Sequence, residues 1–358
     1  MAASPVVTLT KELIAVPSTK ENPQSLSKVL EVAAEPLKRF NSKTFTKNGI
    51  KSLLFYNTPK LPKKFKVILN AHLDVVPAKP NQFIPIVKGD KLYGRGAHDM
   101  KSGAAAEIIV FKELANKVNY PLGLQLVTDE EIGGSNGAKY QIDRGVRADF
   151  VLAGEPTDLK IEHQTKGVIW CTITFKGKSA HGAYPWRGRN ALWQLKKFLD
   201  HLESTFPEPK KEVWQTTINL AQISTPNQTI NKVPDEASVS LDVRFIPADK
   251  QTIVNTLKKL LPKGASIKYI AQEPAHFTAT NNPYILDLSN AAKKVTSLAP
   301  KIVREHGASD VRHYSRVGTP AAIFGPKGAG LHTDSEWVSL KSLDTYSQIL
   351  HAWLQKLQ

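Results

Sequence analysis

The sequence predicts an α/β protein whose layered sheet is interrupted by a smaller α+β domain. Three observations carry that expectation. Strand-like and helix-like stretches alternate up to about residue 167 and again from about residue 278, the grammar of a layered sheet. Between those points the order changes to β-α-β-β-α-β, the split βαβ or ferredoxin-like unit. At 358 residues, the chain also exceeds the roughly 250–300 residues at which one hydrophobic core stops growing.

The elements follow in chain order. "MAASPVVTLTKELIAVPSTKENP" reads as a helix entering a loop, because Lys11 and Glu12 break the apolar run that a secretory signal needs. "KVILNAHL" is a buried strand, "SGAAAEIIVFKELANK" a helix, and "LGLQLVT" and "ADFVLAG" are further strands. Then come "GVIWCTITFKG" as strand, "NALWQLKKFLDHLEST" as helix, and "EVWQTTINLAQIS" and the alternating "EASVSLDVRFI" as strands. "KQTIVNTLKKLL" as helix and "SIKYIAQE" as strand complete the insertion. The first grammar returns with "YILDLSNAAKKV" as helix, "TPAAIFGP" as strand and "LDTYSQILHAWLQKL" as a closing helix. This layout assigns residues 1–167 and 278–358 to one domain and 168–277 to the inserted one.

Composition narrows the function classes. Hydrophobic content of 41% and charged content of 22% suit a globular protein. The single cysteine, Cys171, excludes an internal disulfide and a cysteine-rich metal site, which suits a reducing compartment. No segment approaches the roughly 18 uninterrupted apolar residues of a membrane span, so a soluble, cytoplasmic protein is expected. Net charge is +16, yet the insertion holds 15 basic and 9 acidic residues against 33 and 23 elsewhere. An excess spread in proportion to length argues against a nucleic-acid partner, which needs a basic patch. It leaves a diffuse field able to draw in anionic substrates.

Acids and histidines fall just after the strands. His72 and Asp74 end the first clear strand two positions apart, and residues two apart on a strand share a face. Asp99 lies in the glycine-punctuated "LYGRGAHDMKSG", Glu130 and Glu131 in "LVTDEEIGG", Glu155 in "VLAGEPTD" and His332 in "GAGLHTDSE". Any one of these is ordinarily a solvated loop residue. Ligands of open α/β sheets, however, gather at the carboxyl ends of strands, and so many carboxylates on one rim repel unless a cation compensates. A donor set of N and O without thiolate suits zinc, manganese or cobalt. Of the adjacent Glu130–Glu131 pair, one can hold a metal while the other faces water, and adjacency leaves open which does which.

With these residues in view, the chain resembles the acetylornithine deacetylase / succinyl-diaminopimelate desuccinylase family of co-catalytic metal amidohydrolases. The likeness covers nearly the whole length: "AHLDVVP", "LYGRGAHDMKSG", "TDEEIGG", "GEPTD", "KSAHGAYPWRGRNA", "NKVPDEASVSLDVRF", "GASDVRHY" and "GLHTDSEWV" occur in the family's order. It implies a zinc-peptidase-like α/β catalytic domain with an inserted ferredoxin-like lid used for homodimerisation. It further implies two divalent ions bridged by Asp99, zinc foremost with cobalt or manganese as alternatives. His72 and Glu155 would hold one ion, Glu131 and His332 the other. Glu130 would be the general base, and the Asp74 carboxylate would fix the His72 tautomer. His181 would reach the partner's active site and stabilise an oxyanion, while Asn231 and Arg244 position the substrate. Family members often carry Gly at the positions of Ala71 and Ser102 and Asn at that of Ser335; none of these is an implied ligand. His98, His163, His306 and His313 stay outside the ligand set.

The activity so implied is hydrolysis of the amide of an N-acyl amino acid, succinyl or acetyl, with a dipeptidase or carboxypeptidase as the alternative. Glu155 in "GEPTD", rather than Asp, leans toward the deacylases. A catalytically silent relative would lack the base or a ligand, and all six residues are present.

Overall fold

The computed structural model describes residues 4–357. The described chain divides into two compact units. The larger comprises the chain up to Gln164 with Phe277–Arg304 and Ser309 onward; the smaller comprises Thr165–His276 with Glu305–Ala308.

The larger unit opens with α1 (Pro5–Ile14) and α2 (Pro23–Ala34), each with proline in its first turn, where a missing N–H costs nothing. Asn22 caps α2 by accepting from the Ser25 amide at 3.1 Å. Strands β1 (Asn41–Lys47) and β2 (Ile50–Tyr56) form a hairpin through Asn48 and Gly49, both at positive φ, the geometry that a two-residue hairpin turn requires. Then follow β3 (Phe65–His72), α3 (Lys101–Leu114), β4 (Leu122–Val127), β5 (Ala148–Ala153) and β6 (Ile161–Thr165).

After the smaller unit come helix Pro283–Thr296, strand Ala321–Ile323 and the closing helix Leu340–Lys356. The main sheet runs β1-β2-β4-β3-β5, then Ala321–Ile323, then β6. From β4 through Ala321–Ile323 the strands are parallel. Every residue of β4 is buried, since parallel strands are covered on both faces. That explains why it is apolar apart from Gln125, whose amide is hydrogen-bonded to Asn70, Gln141 and Tyr314. One face packs α1, α3 and the two late helices through Leu13, Phe111, Leu288 and Trp353. The other packs Ile142, Val311 and Tyr314.

A second, small antiparallel sheet joins Gly328–Ala329, Trp337–Ser339, Lys91–Tyr93 and Ile86–Lys88. Its strands of two and three residues are too short to show a periodicity, so the sequence pattern contains no trace of it.

The smaller unit is built of β7 (Gly167–Lys176), α4 (Ala191–Thr205), β8 (Thr217–Ser224), β9 (Glu236–Phe245), α5 (Ile253–Leu260) and β10 (Ser266–Glu273). Its sheet runs β8-β9-β7-β10, all neighbours antiparallel. On β7, Ile169, Cys171, Ile173 and Phe175 pack against Leu195 and Phe198 of α4 and Leu257 of α5. The even-numbered residues face away from both helices, and Trp170 among them is exposed.

Candidate metal centre

Three parallel strands deliver the first candidate ligands at their carboxyl ends. β3 ends on His72, the turn after β4 carries Glu130 and Glu131, and Glu155 follows β5. Asp99 and His332 arrive differently: each sits in a loop beside the small antiparallel sheet. The sequence places Asp99 in a loop before α3 and His332 after the strand Ala321–Ile323; in the structure the short strand Gly328–Ala329 intervenes before His332.

His72 is buried, and its Nδ1 lies 3.0 Å from the backbone carbonyl of Asp74. Nδ1 thus carries a proton, and Nε2 is turned toward Asp99 and Glu155. The Asp74 carboxylate, expected to play this part, lies farther off, at 3.6 Å. It accepts the amides of Glu130 at 3.2 Å and Glu131 at 3.0 Å instead. Two unpaired amides at the start of a helical turn draw a carboxylate more strongly than one ring N–H already served by a carbonyl. Asp74 therefore fixes the glutamate pair through its carboxylate and His72 through its backbone.

Asp99 stands between the two histidines. Its Oδ1 is 3.0 Å from His72 Nε2 and its Oδ2 is 3.3 Å from His332 Nε2. Glu155 Oε2 approaches His72 Nε2 to 3.5 Å, and Glu131 Oε2 approaches His332 Nε2 to 3.4 Å. Two clusters result, His72–Asp99–Glu155 and Asp99–Glu131–His332, each with its potential ligand atoms within 4.8 Å of one another. Glycines make room for this. A Cβ on Gly103 of α3 would lie 2.1 Å from the Gly154 carbonyl, and one on Gly325 would lie 2.1 Å from that of Glu155.

The electrostatics are unbalanced without cations. Burial pushes Glu131 up to about 8 and Glu155 up to about 7, and the neighbouring acids Asp99 and Glu130 add to the rise. Burial opposes charge on His72, yet Glu155, Asp74 and Asp99 drive its pKa well above the usual value. The hydrogen bond to Asp99 raises that of His332. Although burial resists its charge, the two histidines hold Asp99 well below the carboxylate range. Protons occupy places that divalent cations fit: hard oxygen and imidazole donors, no thiolate, and a shared carboxylate.

Glu130 belongs to neither cluster. Burial raises its pKa, and Arg312 Nη1 lies 3.3 Å from its Oε1. Gly133 and Gly134 follow at positive φ, and a Cβ on Gly134 would meet Asp310 Oδ1 at 2.1 Å. This packing accounts for the "IGG" that ends the acidic turn.

The sequence pattern leaves Glu336 and Arg95 unmarked, although both lie inside quoted motifs. Glu336 is buried and accepts four N–H groups: Arg95 Nη1 at 2.6 Å and the amides of Gly96 at 3.0 Å, His98 at 2.8 Å and Asp99 at 3.0 Å. Arg95 Nη2 in turn donates to the Thr333 carbonyl at 3.1 Å, one residue from His332. One carboxylate thereby ties the Asp99 loop to the His332 loop. An acid four residues after His332 in "HTDSE" was the available signal. His98, His163, His306 and His313 join neither ligand cluster.

The remaining expected site residues lie in the smaller unit. His181 is exposed and bridges to Lys232; its Nδ1 accepts from the Ala183 amide at 3.1 Å, leaving Nε2–H to donate. Asn231 is exposed, and its carbonyl accepts from the Gly182 amide at 2.6 Å. Arg244 on β9 forks onto Asp242, Nε at 2.8 Å and Nη2 at 3.1 Å.

Residues 68–356 match Peptidase family M20/M25/M40. Succinyl-diaminopimelate desuccinylase of Bordetella avium is 28% identical over 382 residues, covering 99% of each chain. The enzyme of the same name from Pelagibacter ubique is 29% identical, covering 96% of this chain and 97% of its own. Among solved structures, aminopeptidase PepT from Bacillus cereus superposes with a TM-score of 0.81 at 18% identity, covering 99% of this chain and 98% of its own. The metallo-carboxypeptidase Sso-CP2 from Sulfolobus solfataricus does so with 0.77 at 18%, covering 99% of each.

Proposed function

Because the chain belongs to peptidase family M20/M25/M40, whose members are metal-dependent hydrolases of amide bonds, we propose that it removes the acyl group from an N-acyl amino acid, succinyl foremost and acetyl next. The observation that carries this reading is the Asp99 carboxylate, one oxygen turned to each ligand cluster, with Glu130 beside both. His72 and Glu155 would hold one divalent cation and Glu131 and His332 the other, with Asp99 shared; zinc leads, and cobalt or manganese suits the same donors. Such a pair, when bound, lowers the pKa of water toward ~7 and polarises the scissile carbonyl.

The rest is the work of the chain's own side chains. Glu130 accepts the proton of the attacking water and returns it to the leaving nitrogen. His181 of a second copy donates Nε2–H to the oxygen that gains charge, so the working form is a homodimer through the smaller unit. Asn231 orients the amide and Arg244 pairs with a substrate carboxylate. The buried free thiol of Cys171 suits a reducing, cytoplasmic setting.

The desuccinylase names of relatives aligned over nearly the full length support the acyl substrate. A dipeptidase or carboxypeptidase is the second reading. It draws on the peptidases among the solved structures, which at 18% identity carry the fold alone. The test is a screen of zinc-, cobalt- and manganese-loaded protein against N-succinyl and N-acetyl amino acids and dipeptides. Cleavage of dipeptides alone would overturn the acyl reading, and near-native turnover by Glu130→Ala would overturn the assigned base.

A further inference from the structure

His332 differs from His72 in how its ring is held. The Nδ1 of His72 is anchored on a backbone carbonyl. Among the described residues nothing in the protein holds the Nδ1 of His332, whose side chain is 52% exposed. A metal-ligating imidazole is ordinarily aimed by a partner on its other nitrogen. For His332 the aim has to come from the backbone.

That backbone is strained. His332 is third in a four-residue turn closed by the Thr333 amide on the Gly330 carbonyl at 2.9 Å, and its φ is +60°. Glycine takes this conformation freely, and another residue keeps it only where the surroundings impose it. Two side chains do so by gripping the next carbonyl, that of Thr333. One is Arg95, through Nη2 at 3.1 Å. The other is Gln82, whose Nε2 donates to the same oxygen at 3.1 Å.

Gln82 is itself held in one orientation. It is buried in the helical turn Pro80–Phe83, and its Oε1 accepts the Lys79 amide at 3.0 Å. Oε1 faces a donor and Nε2 an acceptor, so a flipped amide would satisfy neither. The Gln82 backbone carbonyl accepts the Arg95 amide at 2.8 Å, so the two grips on Thr333 also hold each other. The Lys79–Asp334 ion pair joins the same loops, but both partners are exposed and such pairs contribute little.

We propose that Gln82 is a positioning residue for the ion of the Asp99–Glu131–His332 cluster, holding the His332 turn in the shape that aims its ring at Asp99 and Glu131. This rests on the proposed two-ion reading and deepens it: Gln82 sets the affinity for one ion and leaves the ion of the His72–Asp99–Glu155 cluster untouched.

The test is stepwise zinc titration, followed by calorimetry, of the wild type, Gln82→Met, Gln82→Asn and His332→Ala. Gln82→Met removes both side-chain hydrogen bonds at similar volume, and Gln82→Asn keeps the amide but is one methylene too short. His332→Ala identifies which binding step belongs to the His332 cluster. Both Gln82 variants are expected to weaken that step ~10- to 100-fold and to leave the other step unchanged. In the metal-free protein, amide hydrogen exchange of residues 331–334 quickens while that of β3 does not. A residue serving only the general stability of the fold would weaken both steps together and quicken exchange in both segments.

An unchanged His332 step, or equal weakening of both steps, overturns the role of Gln82, and so does unaltered exchange at residues 331–334. If the wild type takes up fewer than two zinc ions, the two-ion reading falls, while the exchange measurement still decides whether Gln82 holds the His332 turn.

Discussion

Replacing Glu336 by Gln removes one charge and tests how the metal loops are held. The carboxylate offers Oε1 to the His98 and Asp99 amides and Oε2 to Gly96 and Arg95. A carboxamide keeps one acceptor oxygen and turns an NH2 toward the other two donors, whichever way it is flipped. Each buried donor so stranded costs about 1–3 kcal/mol. Breaking a buried ion pair by removing one partner costs about 3–5 kcal/mol, and Arg95 is 3% exposed here. These figures describe the same loss from two sides, so the expected destabilisation is about 3–5 kcal/mol and not their sum.

Urea unfolding of the metal-free protein reads it as a lower midpoint with an unchanged slope. The double variant Arg95→Met, Glu336→Gln loses less than the two singles added, by ~2 kcal/mol or more. Metal titration of Glu336→Gln shows weakened uptake, since the freed amides include that of Asp99. A loss under ~1 kcal/mol, or strict additivity, would refute the clip.

Three further outcomes are expected. Glu130→Gln lowers kcat by ~10²–10⁴-fold while elemental analysis still finds the wild-type metal content, because Glu130 belongs to neither ligand cluster. Asp99→Ala depletes both ions together, since its two oxygens face both histidines; retention of one tight ion would count against a shared ligand. Glu131 and Glu155 sit raised to about 8 and about 7 in the metal-free fold, so they bind more protons folded than unfolded between their ordinary pKa and these values. The metal-free protein is accordingly less stable as pH climbs from ~4.5 to ~8. Apparent metal affinity moves the opposite way, rising to about pH 8 with proton release measurable by calorimetry in buffers of different ionisation enthalpy.

Much of the fold was legible because long strands and helices leave a periodicity. "KVILNAHL" and "LGLQLVT" read as buried strands through largely apolar runs, and the residues of β9 alternate between buried and half-buried as "EASVSLDVRF" alternates in polarity. The Asn48–Gly49 turn carried a hairpin signal that the apolar pattern around it, weak in "NSKTFTK", did not reinforce. The small sheet was illegible, because strands of two or three residues are defined by their partners. In the centre, the positions of His72, Glu131 and Glu155 follow from long strands that the sequence shows, whereas the places of Asp99 and His332 and the hydrogen-bond roles do not. Whether Asp74 serves His72 by carboxylate or carbonyl depends on a backbone turn, and the clip from Glu336 to Arg95 joins residues far apart in the chain.

The strand Ala321–Ile323 lies between β5 and β6 and pairs with both. During translation, β5 and β6 therefore leave the ribosome with their facing edges open, and the gap stays unfilled until the whole insertion and most of the C-terminal segment have been made. Open edges of this kind invite mispairing. His72, Asp99 and Glu155 all precede the insertion, whereas His332 is made after it. A nascent chain thus owns one whole candidate cluster, His72, Asp99 and Glu155, long before the other is complete, and a cation bound early on the proposed ligands would hold β3 and β5 in register while the missing strand is still being synthesised.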